Sequence, residues 1–159
     1  MISSRSRYAV LGLLELSKLS TEGEPVKLGL LAEKSSVPLK YLEQIFARLR
    51  KASIINSVRG QAGGYIFAKD PAQISIAEII LAAEDDLHVT GCKPNSEHGC
   101  LKKTSKCLAH SLWEEVSNRI YDYLNEVTLT QLAEGIKTTK RGKTVFDHLQ
   151  TARTERMLA

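Results

Sequence analysis

PLKYLEQIFARLRK, residues 38–51, decides how this chain folds. Leu42, Ile45, Phe46 and Leu49 recur at helical spacing and form one apolar face that must meet a core. Lys40, Gln44, Ala47 and Lys51 fall on the opposite side, with Glu43 and Arg48 flanking. Pro38 suits the first helical position, where its missing N–H is no loss, and it biases Val37 toward an extended conformation.

Toward the N-terminus, a short helix fits Leu28 to Lys34, and Ser35-Ser36-Val37 makes the turn between the two helices. A first helix is expected over residues 4–20, with Val10, Leu13, Leu14 and Ser17 on one face and Gly23 and Pro25 as stop signals. Helix, short helix, tight turn, helix is the helix-turn-helix layout, although many helical domains share that spacing. The other side of the motif sharpens it. Ile54, Ile55 and Val58, then Gly60-Gln61-Ala62-Gly63-Gly64, then Tyr65, Ile66 and Phe67 read as a glycine-turned β-hairpin. A hairpin directly after such a motif is a wing, and Arg59 stands at its shoulder, where a guanidinium can enter a minor groove or grip phosphate. The expected fold is mainly α: a winged helix-turn-helix with a two-stranded wing and a long C-terminal dimerisation helix.

Ser75-Ile-Ala-Glu78 has the form of a capping box and opens a helix to about Glu84. Periodicity is then lost from Asp85 to Lys106, a length of irregular chain that in a compact domain usually carries function or is disordered. Glu84, Asp85 and Asp86 read as a helix end running into a solvated loop. A long helix follows from about Cys107 to Glu126. Leu108, Leu112, Val116, Ile120 and Tyr123 or Leu124 form its stripe, with Trp113 beside it. Little of the monomer remains to cover that stripe, so pairing with the same helix of a second chain is the natural solution. Thr128-Leu-Thr-Gln131 is a second capping box, opening a short last helix to about Glu134. The expected organisation is a DNA-binding domain over 1–84, a ligand-bearing loop over 85–106, dimerisation and terminal helices over 107–135, and a flexible, basic tail over 136–159.

Charge supports a polyanionic partner. Residues 1–70 hold 11 Lys/Arg against 6 Asp/Glu, whereas 71–110 hold 4 against 5 and 111–159 hold 7 against 7. The positive excess sits on the module with the turn and wing. No apolar run approaches the roughly 20 residues that cross a bilayer, and the N-terminal apolar stretch is broken by Glu15 and Lys18 without a cleavage site. The expectation is a cytoplasmic protein that engages no membrane.

Three cysteines cannot complete an internal disulfide framework, and clustered thiols in a chain without a secretion signal point to metal or redox chemistry. Cys92, Cys100, Cys107 and His110 are spaced C-x7-C-x6-C-x2-H. The last two, three apart at a helix start, share a face and can bite one metal. Thiolates suit an iron–sulfur cluster or zinc, and a histidine in place of one thiolate raises a cluster's potential. A closed zinc site takes the same donor set, though zinc sites usually show tighter C-x2-4-C pairs. Inert buried thiols, or His88 or His98 as the fourth donor, are the other readings of these residues. No nucleotide-binding glycine loop precedes a helix, and no cysteine has a spare base, so neither catalysis nor a small-molecule substrate is expected.

SRSRYAV, YLEQIFARLRK, SVRGQAGGY, CLAHSLW and NEVTLTQL, together with the cysteine loop, resemble the IscR-type iron–sulfur cluster regulators. These belong to a family of winged-helix regulators that includes NsrR and RirA. The match runs from residue 3 to about 135. The resemblance implies a homodimer on a double-stranded DNA operator, with third helices in major grooves and wings in flanking minor grooves. It implies a 2Fe–2S cluster on Cys92, Cys100, Cys107 and His110, with a 4Fe–4S cluster or zinc as alternatives, and repression of cluster-assembly genes. Lys40, Tyr41, Glu43, Gln44 and Arg50 on the helix, and Ser57, Arg59, Gly60 and Gln61 on the wing, are the implied DNA-contacting residues. Glu43 matches a position that governs operator choice, a role in which a carboxylate accepts from cytosine N4 and repels other acceptors. Gln61-Ala62 where Pro-Gly is expected, and Lys40 where a small polar residue is usual, are departures that bear on operator sequence. Arg7, Tyr8 and Ala9 offer no acidic ligand of the kind some nitric-oxide-sensing members use.

Overall fold

A computed structural model describes residues 3–84, 87 and 106–135. Its helices are α1 (Ser4–Leu19), α2 (Leu28–Ser35), α3 (Leu39–Lys51), α4 (Ile76–Glu84), α5 (His110–Glu126) and α6 (Leu129–Ala133). Two strands, β1 (Ile55–Val58) and β2 (Gly64–Phe67), form an antiparallel hairpin between α3 and α4. This is the winged helix-turn-helix expected from residues 28–67. Segments 88–105 and 136–159, and with them Cys92 and Cys100, lie outside the described residues.

The core is one cluster whose fully buried members come from every helix except α5, which packs Ile120 and Leu124 against it, and α3 supplies its centre: Leu42, Ile45, Phe46 and Leu49 are all fully buried. Each such side chain contributes about 1.5–3 kcal/mol relative to exposure. α1 behaves differently from its expected stripe. Ser6, Ala9, Gly12, Leu13 and Leu16 are buried, whereas Val10, Leu14 and Ser17 are only half-buried. The reason is that α1 packs at once against α2, α3, α4 and α6, so a face chosen for one neighbour is replaced by one shared among four.

The turn of the motif is closed by Ser36 in the left-handed region at φ 56° and ψ 30°, which stops α2 and delivers buried Val37 to the core. Pro38 sits one position earlier than expected. It is the N-cap, with extended ψ of 130°, and the helix proper starts at Leu39. The two capping boxes also divide. Thr128 and Gln131 satisfy each other's backbone reciprocally. At α4 the Ser75 hydroxyl accepts from Glu78 N at 3.1 Å, but the Glu78 carboxylate turns to Lys69 Nζ at 2.7 Å. A charged partner on the neighbouring segment offers that carboxylate a stronger bond than a backbone amide.

α5 begins at His110, three residues later than the sequence pattern suggests. Leu108 is therefore outside the helix and completely exposed. The end of α5 is tied to the start of α4: Ile76 N donates to Val127 O at 2.9 Å and Leu129 N to Ile74 O at 2.9 Å. Among the described residues no helix is long and apolar enough to cross a membrane.

Candidate nucleic-acid interface and metal centre

Because the apolar face of α3 is spent on the core, its other face is left to solvent. Lys40, Tyr41, Glu43, Gln44 and Arg50 are all exposed, together with Ala47 and Lys51. Arg48, Arg50 and Lys51 close the helix with positive charge, which complements its dipole and raises the local positive potential. Tyr41 is held in place from α1, its ring edge-on to Tyr8 with centroids 5.9 Å apart.

The wing is fixed to this helix and its surroundings at three points. Phe46 and Tyr65 meet edge to face at 5.0 Å. Arg50 Nη1 donates to Ser57 Oγ at 3.3 Å. Val26 and Tyr65 exchange backbone bonds at 3.0 and 2.9 Å, so the segment before α2 adds a short third rung to the hairpin. Val26 alone does not signal that rung, since one apolar residue beside a proline has no period. The rung also explains Gly64: a Cβ there would stand 2.4 Å from the Val26 carbonyl oxygen, too close for any other residue. Ser57 pairs with Tyr65 and Val58 with Gly64. Beyond them the tip turns through Gly60, at φ 113°, whose carbonyl accepts from Gly63 N at 3.0 Å. Arg59, Gly60 and Gln61 are exposed at that tip. All nine expected contact residues therefore lie on the solvent side of α3 or on the wing.

The donor set is described only in part. Cys107 is half-buried and His110 is 5% exposed. They do not share a helical face, because Cys107 precedes α5; a turn joins them, with His110 N donating to Cys107 O at 3.0 Å. The imidazole Nε2 lies 3.9 Å from Glu114 Oε2, one helical turn on. A thiol and a shielded imidazole on one turn fit the requirements of a soft metal centre. Among the described residues alone no group of three or more metal-ligating side chains is assembled, as expected when Cys92 and Cys100 lie outside them.

Glu84 departs from the expected solvated helix end. Its Oε1 accepts from the backbone N of Ser6 at 3.1 Å, from the Ser6 hydroxyl at 3.0 Å and from the Ser3 hydroxyl. The last residue of α4 thus caps the first turn of α1. Burial pushes its pKa up, but the Ser3 and Ser6 hydrogen bonds and the charge of Arg5 outweigh it and hold the carboxyl below its ordinary value. A depressed folded pKa means stability that is present above the unfolded value and is lost as pH falls through the folded one. Wild-type protein is accordingly expected to lose more stability than Glu84→Gln between about pH 5 and pH 3, read from denaturant midpoints at each pH. Equal losses would remove the ionised carboxylate from the cap. The paired serines of SSRS are the available signal, being N-cap residues without a nearby acidic partner in sequence.

A family described as "Rrf2: Iron-dependent Transcriptional regulator" matches residues 2–135. The chain is 40% identical over 131 residues to the HTH-type transcriptional regulator IscR of Cronobacter sakazakii, covering 82% of this chain and 78% of that one. Among solved structures it is similar to T. potens IscR, with a TM-score of 0.65 and 29% identity over 92% of this chain and 95% of that one. CymR, the global cysteine regulator of B. subtilis, gives a TM-score of 0.67 and 28% identity over 84% and 96%.

Proposed function

The chain belongs to the Rrf2 family of transcriptional regulators, and we propose that it is an IscR-type sensor. It is a DNA-binding regulator and not an enzyme. In the proposed reading it is a cytoplasmic homodimer that represses cluster-assembly genes when an iron–sulfur cluster sits on Cys92, Cys100, Cys107 and His110. The observation that carries the reading is the turn that sets buried His110 three residues after half-buried Cys107 at the start of α5. The resemblance of CLAHSLW to iron–sulfur regulators, and the iron dependence in the family's description, support the same conclusion.

Cys107 and His110 would hold one side of the cluster, the imidazole kept from water by its burial. A 2Fe–2S cluster bound there supplies a one-electron couple, at a higher potential than an all-thiolate set would give. Dimerisation through residues 107–126 is supported by what α5 leaves uncovered. Leu112 is 56% exposed and Tyr123 55%, and the two share one side of α5, whereas Ile120 and Leu124 of the expected stripe pack against the chain's own core. A second copy of the same helix is the partner that would cover that face.

Anaerobic purification followed by absorption spectra and counts of iron, sulfide and zinc tests the cofactor. Binding to promoter DNA of cluster-assembly genes, with and without the cluster, tests the sensing. One zinc per chain with no iron sinks the proposal, and a 4Fe–4S stoichiometry corrects its nuclearity. At the wing, Arg59→Ala is expected to weaken binding and to lower the slope of log affinity against log salt by about 1. An unchanged slope and affinity in titrations across several salt concentrations would take Arg59 off the interface. On α3, Glu43→Ala is expected to relax operator choice in the cluster-free form, because the carboxylate no longer repels acceptors. Identical operator preferences for both proteins in competition binding would contradict this role.

A further inference from the structure

α1, α3 and α4 meet at the C-terminal end of α4, immediately before the cysteine-bearing segment begins. Arg48, which flanks the solvent face of α3, turns inward: its Nη1 donates to the Ala83 carbonyl at 3.1 Å. That carbonyl belongs to the last turn of α4, where acceptors have no partner within the helix. One residue on, Glu84 accepts from Ser6 N, the Ser6 hydroxyl and the Ser3 hydroxyl at the start of α1. α1 in turn holds Tyr41 of α3 through Tyr8. Two consecutive residues of α4 thus engage α3 directly and again by way of α1.

We propose that Arg48 and Glu84 are positioning residues that couple the ligand-bearing segment, which begins at residue 85, to the orientation of α3 on DNA. The inference rests on the sensing reading given above. Its physical basis is that both contacts are charge-assisted and directional. A shift of the α4 end changes both together, and packed helices respond by discrete rearrangement in preference to smooth deformation. Other bonds hold the far end of α4 to α5 and α6, so movement at residues 83–84 is not absorbed by sliding of the whole helix.

The test compares operator affinity of the cluster-loaded and cluster-free forms in wild type, Arg48→Lys, Glu84→Gln and Ser6→Ala, with cluster content read from visible absorption. Ser75→Ala, which removes a cap at the far end of α4, controls for a general loss of stability. Wild type is expected to show a loaded-to-free affinity ratio within the roughly 5–150-fold range of allosteric couplings. The ratio is expected to fall to within about twofold of unity in Arg48→Lys and Glu84→Gln, and part of the way in Ser6→Ala, while Ser75→Ala keeps the wild-type value. Variants that retain the cluster and the wild-type ratio overturn the proposal, as does an equal loss in Ser75→Ala. A wild-type ratio of one, or a wild-type protein without iron, is a different failure: it removes the sensing reading itself and the coupling with it.

Discussion

Cys107→Ala is expected to yield a protein that is folded, colourless after anaerobic purification, and indifferent to cluster-assembly conditions in its choice of DNA. Cys107 is half-buried and lies in the turn ahead of α5, outside any helix. Its truncation therefore removes a soft donor without opening the core, and a stability loss below about 1 kcal/mol is expected. The effect on the cofactor is far larger, because thiolate donors have no substitute in alanine and the remaining set is one ligand short. Absorption spectra, iron and sulfide counts and a thermal melt, made on the same preparation, separate the two effects. A variant that keeps wild-type visible absorption and iron content would show that Cys107 is no ligand, and the site would have to be rebuilt on other donors.

Phe46→Ala carries the largest expected loss of stability, about 3–5 kcal/mol. Phe46 is fully buried on α3 and touches Tyr65 of the wing edge to face, a geometry worth about 0.5–1.5 kcal/mol beyond area alone. Against a total of about 5–15 kcal/mol for a domain, that is a large fraction of what holds the module together. The wing should suffer first, since Tyr65 also carries the backbone bonds to Val26. Denaturant unfolding is expected to show the lower midpoint, and DNA binding should weaken although Phe46 itself is buried. Phe46→Leu, which keeps most of the volume, is expected to lose less than half as much. A loss under about 1.5 kcal/mol for Phe46→Ala would mean that the site collapses around the deletion and that the wing is anchored elsewhere.

Periodicity makes α3 legible in the sequence. Four apolar side chains at helical spacing have only one way to be buried together, and the exposed set Lys40, Glu43 and Gln44 then follows by elimination. The wing is legible for a related reason: a glycine-rich turn between two short apolar runs is a local signal. α1 is legible as a helix but not in its buried face, because four helices decide that face and three of them are distant in sequence. The pattern places the start of α5 three residues too early, since a turn and a first helical turn set apolar residues at similar spacing.

Local patterning fixes the helix-turn-helix and the wing, and side-chain chemistry alone makes the thiols and His110 candidate soft donors. Only in the folded chain does Val26 add a rung to the wing, Arg48 face Ala83, and Glu84 cap α1 across 78 residues of chain. Those contacts join groups whose proximity no local pattern encodes. They exist because burying the faces of α1, α3 and α4 in one core leaves the ends of those helices side by side, where unpaired backbone groups must find partners.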